Sequence, residues 1–134
     1  MVFVTFTEAE KVKNCLMDEQ HKQMTHIINK IYTAFILKKN RTLQSQLRIL
    51  VGHLRSHFDY EETLMQQTQF EGYYSHKLEH DRFYCKVEGI WQSYVDKNPK
   101  LTLEELYNVK SWFFNHIEIN DKKCGEHFAK NGIS

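Results

Sequence analysis

Proline occurs once and glycine five times in the 134 residues, so long stretches run without a residue that breaks regular structure. Apolar side chains along them recur at helical rather than alternating spacing, which excludes strands as the main element. Cysteine is scarce too. Cys15, Cys85 and Cys124 are odd in number and form no Cys-x-x-Cys pair, which argues against a disulfide framework or a thiolate zinc site and suits a reducing compartment. A net charge of +1 gives no electrostatic reason to expect nucleic acid or a membrane surface as partner. No apolar run approaches the ~20 residues needed to cross a bilayer. The stretch Met1 to Phe6 runs into Glu8, Glu10 and Lys11 and lacks the basic start and long apolar middle of a signal peptide. The expected location is the cytoplasm.

What is present is a set of four apolar stripes stepping by three and four residues. The first opens behind Asp18 as N-cap and passes through His21, Met24, Ile28, Ile31 and Phe35 to the polar break at Lys38 to Arg41. A second runs from Leu43 through Leu47, Leu50, Leu54, His57 and Glu61 to Leu64. The third joins Tyr73, His76, His80, Phe83, Val87, Ile90 and Tyr94, and stops before Pro99. The fourth starts at Thr102, which forms a capping-box pattern with Glu105, and continues through Leu106, Val109, Phe113 and His116. These stripes predict one all-α domain over 1–134: an antiparallel up-down-up-down four-helix bundle at 18–121, an N-terminal arm at 1–17 and an irregular C-terminal tail at 122–134.

Polar residues intrude into those stripes at matched heights. Lys39, in the first break, is midway between His21 and His57, and Asn98, in the last, is midway between His80 and His116. Helical rise is constant and short loops force antiparallel neighbours, so each pair ends level. Glu61 and His76 flank the remaining turn near Thr68 to Gly72, and Asp121 follows His116 by five residues. Seven donors therefore gather in one layer: His21, His57, Glu61, His76, His80, His116 and Asp121.

Buried imidazoles and carboxylates are costly unless compensated, and a metal centre compensates them. His57 with Glu61 and His76 with His80 are i,i+4 pairs, about 40° apart around a helix, so each pair faces one site. His116 and Asp121 diverge by about 140° on a regular α-helix, which predicts that the fourth helix loosens, widens or ends between them. Five imidazoles and two carboxylates exceed the needs of one ion, and two carboxylates can bridge two. Nitrogen and oxygen donors without thiolate suit iron, manganese or zinc alike. Neutral imidazoles leave charge that an oxo or hydroxo bridge would offset.

The segments Met17 to Lys22, His57 to Glu62, His76 to Asp81 and Trp112 to Ile117, continuing to Asp121, resemble the hemerythrin family, and most of all its single-domain bacterial members. The resemblance covers nearly the whole chain, with all seven family positions filled. It implies a non-haem diiron centre with His76, His80 and His116 on one iron, His21 and His57 on the other, and Glu61 and Asp121 bridging. It further implies reversible dioxygen binding, by an oxygen carrier, store or delivery protein rather than an enzyme, in a pocket lined by Met24, Phe58, Trp112 and Phe113. Three positions depart from the family pattern. Phe6 replaces a common tryptophan, Phe113 a common leucine of the oxygen pocket, and Cys124 a frequent tyrosine.

Competing readings explain less. An oxygen, iron or redox sensor, or a diiron enzyme handling peroxide or nitric oxide, would use the same donors. His76-Lys77-Leu78-Glu79-His80 matches an inverted zinc-protease pattern but leaves five donors unused. The Glu-x-x-His pairs of ferritin-like diiron oxidases are absent. His26 and His127 lack partners at ligand spacing, and His53, though it forms a His-x-x-x-His pair with His57, lies one turn from the layer.

Overall fold

The computed structural model describes residues 2–134, which form helices joined by short turns, with no strand among the described residues. The long elements are α1 (Cys15–Ile36), α2 (Asn40–Gln67), α3 (Tyr73–Val95) and α4 (Leu103–Asn115). They pack antiparallel in chain order around one core that includes Met24, Ile28, Leu47, Leu50, Leu54, Phe83, Val87, Leu106 and Phe113, all at most 3% exposed. The up-down-up-down bundle read from the stripes is therefore the observed fold.

Two expectations at the ends are corrected. α1 begins behind Asn14, whose Oδ1 accepts from the Met17 amide at 2.9 Å, rather than behind Asp18. Asp18 lies inside the first turn and accepts from the Val12 amide at 2.9 Å, where a negative charge suits the helix dipole. Both residue types cap well, and only the path of the preceding chain chooses between them. The stretch after Asp121 is not irregular: α5 (Lys122–Lys130) continues the line of α4 through a six-residue π-helix, His116–Asp121. At Thr102 only half of the capping box forms. Its hydroxyl accepts from the Glu105 amide, while the Glu105 carboxylate turns to Lys86.

α1, α2 and α3 end alike. Lys38, Gln69 and Lys97 each take a left-handed φ of 54–58°, and the next residue donates back to the final turn: Lys39 to Ala34, Phe70 to Met65, Asn98 to Ser93. This is the usual αL helix stop built without glycine, at roughly 1–2 kcal/mol per strained residue.

The arm runs beside the bundle. Phe3 and Val4 amides both donate to Asn29 Oδ1 at 2.8 Å, and the Phe3 ring stacks on Tyr32 at 4.2 Å. Lower down it crosses α5 at Gly125, where an added Cβ would fall 1.7 Å from the Val12 carbonyl oxygen. Only glycine allows that approach.

Candidate metal centre

His21 projects from α1, His57 and Glu61 from α2, His76 and His80 from α3, and His116 and Asp121 from the two ends of the π-helix. All seven are at most 4% exposed. Their inward atoms form two adjoining groups that share the carboxylates. One holds His76, His80 and His116 with Glu61 and Asp121; the other holds His21 and His57 with the same pair.

Pairing follows the mirror positions. His21 and His57 bring their Nε2 atoms to 3.1 Å, and so do His80 and His116, while His76 Nε2 is 3.0 Å from His116 Nε2. Each carboxylate divides its oxygens between the groups. Asp121 Oδ2 is 3.0 Å from His21 Nε2, and its Oδ1 is 3.1 Å from His116 and 3.2 Å from His76. Glu61 Oε2 meets His57, and Oε1 lies 3.2 Å from His76 and 3.7 Å from His80.

The π-helix makes the last pair possible. A bulge of i→i+5 type puts His116 and Asp121 on one face, so the widening expected from their spacing is present where expected.

The outward ring nitrogens are held by residues the sequence reading passed over. His57 Nδ1 meets Gln20 Oε1 at 2.6 Å, His80 Nδ1 meets Glu62 Oε2 at 2.9 Å and His116 Nδ1 meets Glu79 Oε2 at 3.2 Å. A donated Nδ1–H leaves the Nε2 lone pair pointing inward. His76 Nδ1 faces the Cys124 sulfur at 3.3 Å, and His21 Nδ1 is buried without a partner among the described residues. The one signal of the oxygen partners was adjacency: Gln20, Glu62 and Glu79 each neighbour a donor in sequence and lean toward the next helix.

Inward, five Nε2 atoms and four carboxylate oxygens crowd one buried layer. Protons alone can separate some of them. Burial works against a charged His76, but Asp121, Cys124 and Glu61 outweigh it and push its pKa up to about 12. Burial and Asp121 push the Glu61 carboxyl up, yet His57 and His76 hold it at about 2. Burial likewise resists the charge on Asp121, and His116, His21 and His76 keep it well below the usual carboxylate range. His80 goes the other way, its pKa lowered by burial despite Glu62. Two ionised carboxylates thus face at least one neutral imidazole, and all donors are directed to two points. Two cations fit this donor set, nitrogen-rich and without thiolate.

Around the layer, Phe113 presents its edge to His21 at 6.0 Å, and Phe58 stacks on His80 at 3.8 Å while reaching His57 at 5.8 Å. Met24 is buried one turn after His21. Trp112, expected beside the two-histidine group, instead stacks on His116 at 4.4 Å and on Phe83 at 3.9 Å. It is one position from Phe113, about 100° around the helix, and that rotation carries it to the other group. Phe6, from the arm, lies 6.5 Å from His21. His26 is exposed, His53 is half-buried in a groove with Gln20, Gln23 and Ser56, and His127 bonds the Thr68 carbonyl at 2.9 Å; none enters the layer.

Known proteins resemble this chain. Residues 15–125 match the family model for the hemerythrin HHE cation binding domain. A bacteriohemerythrin of Methylococcus capsulatus is 28% identical over 126 residues, 93% of this chain and 96% of that one. A myohemerythrin of Sipunculus nudus is 30% identical over 116 residues, 87% of this chain and 86% of the other. The crystal structure of a wild-type hemerythrin superposes with a TM-score of 0.88 at 26% identity, covering 95% of this chain and 98% of that one. The buried histidine and carboxylate layer is typical of that family's cation site, and the chain belongs to the hemerythrin HHE family.

Proposed function

We propose that this protein binds dioxygen reversibly at a non-haem diiron centre, as a carrier, store or delivery protein. The observation that carries the reading is the division of each carboxylate between the two histidine groups, which suits two adjacent metal ions. His76, His80 and His116 would hold one iron, His21 and His57 the other, with Glu61 and Asp121 bridging. Two ferrous ions held there would supply a reversible two-electron couple for dioxygen.

The chain's own residues set the rest. The two-histidine side is one nitrogen short of its neighbour and is the side that admits dioxygen. Phe113, Phe58 and Met24 keep water from it, which disfavours separation of charge and loss of the bound gas as a reduced product. Trp112 buttresses His116 and meets the Phe58 ring edge-on at 6.3 Å. Outer partners fix the tautomers of His57, His80 and His116 with the lone pair inward.

An anaerobic-to-aerobic spectral titration tests the proposal. Iron-replete protein should hold two irons per chain, gain charge-transfer absorption in air, and return to its starting spectrum when oxygen is removed. Zinc alone would overturn the iron assignment. Decay of the oxygenated spectrum with turnover of peroxide or nitric oxide would replace oxygen carriage with enzymatic use of the same site.

A further inference from the structure

On the two-iron reading above, we propose that Glu62 and Glu79 are positioning residues that make the three-histidine half of the centre the tighter, more electron-rich half. The outward partners of the five imidazoles differ in charge. His80 and His116, in the three-histidine group, face the carboxylates of Glu62 and Glu79. In the other group His57 faces the neutral amide of Gln20, and among the described residues His21 has no partner for Nδ1. Both anions thus fall on one side.

The two contacts are built rather than incidental. Glu79 is also gripped by the Asn120 side chain, which reaches it from the π-helix and holds it against His116. Among the described residues it forms no ion pair with lysine or arginine. Glu62 is 14% exposed and lies 3.8 Å from Lys77, whose closer partner is Asp81 at 2.9 Å. Its charge is partly offset by that lysine, as the charge of Glu79, 46% exposed, is partly screened by solvent, so the two should carry comparable effects.

A carboxylate that accepts Nδ1–H draws the proton outward and raises the electron density on Nε2, strengthening the ring as a metal donor. An amide acceptor orients the ring and does this far less. The iron held by His76, His80 and His116 is therefore anchored, and stabilised in its higher charge. The one held by His21 and His57 keeps a higher potential and exchanges first. Loss of such an outer partner typically costs about 10–100-fold in metal affinity.

Ferrous iron added anaerobically to the metal-free full chain, against a competing ferrous chelator, tests this. Wild type should bind two equivalents in two steps of unequal affinity. Glu79→Gln and Glu62→Gln keep an acceptor oxygen but lose the charge, and each should weaken the tighter step by about 10–100-fold while leaving the other. Gln20→Glu should do the reverse, tightening the weaker step and lowering the potential of that iron. A structural defect would not produce that gain, and Glu79→Asp should restore part of the loss. Two equal steps in wild type, an unmoved tight step in both Gln variants, or no gain from Gln20→Glu would overturn the proposal alone. Fewer than two ferrous ions in wild type would overturn the diiron reading and this assignment with it.

Discussion

Asp121 Oδ1 lies 3.1 Å from the Nε2 of His116, five residues earlier on the same stretch of chain. The carboxylate reaches that ring because the helix between them is of π type, and its second oxygen is then free to meet His21 across the bundle. One widened turn joins α4 to both halves of the site.

The two carboxylates should be more damaging to lose than any residue beyond the layer. Glu61→Ala or Asp121→Ala is expected to reduce iron from two per chain to one or none, with helical circular dichroism largely retained. His53→Ala should leave two irons. Iron analysis of the three purified variants decides it, and iron loss in His53→Ala would show that the groove beside Gln20 belongs to the site.

Phe113 is 3% exposed and edge-on to His21, so its size sets the room on the two-histidine side. Phe113→Leu should speed dioxygen dissociation or change autoxidation, with iron content unchanged. Phe113→Ala should in addition cost about 3–5 kcal/mol of stability through the cavity it leaves. Stopped-flow dissociation and urea unfolding separate the effects; unchanged oxygen kinetics in the leucine variant would place the ring outside the pocket.

Without metal the layer should make stability depend on pH in a defined direction. Burial and Asp121 raise the Glu61 pKa, but its histidine neighbours win and hold it at about 2, below the ordinary 4.5. Its contribution is present above 4.5 and lost as pH falls toward 2. His76, raised from 6.5 to about 12, contributes fully below 6.5 and loses that contribution as pH rises through about 12. Chelator-stripped protein should therefore weaken on both flanks in denaturant titrations. A flat acid limb between 4.5 and 2 would contradict the pairing of Glu61 with His57 and His76.

The three thiols should differ in reactivity. Cys15 and Cys85 are exposed, while burial lifts the Cys124 thiol to about 11 against the pull of His76. A disulfide reagent at neutral pH should titrate two thiols in the native protein and the third only after unfolding. Three fast thiols would mean that α5 opens readily.

The gathering of seven side chains in one layer was legible because it depends on quantities a sequence carries: the constant rise of a helix, the count from His21 to Lys39 and onward to His57, and the cost of placing imidazoles in an apolar stripe. The same spacing rule exposed the widened turn between His116 and Asp121. Helix ends were less legible. Lys38, Gln69 and Lys97 adopt left-handed φ without the glycine that usually marks it, and Asn14 and Asp18 are equally good caps. The stacking of Trp112 on His116 was not legible, and the outer partners showed only as sequence neighbours of the donors. Whether Glu79 meets His116, or Gln20 meets His57, depends on how far each helix is rotated about its axis against its neighbour. Periodicity determined the fold and the height of the layer; side-chain packing between helices decided the charge on each side of it and the ring, Phe113, that closes it.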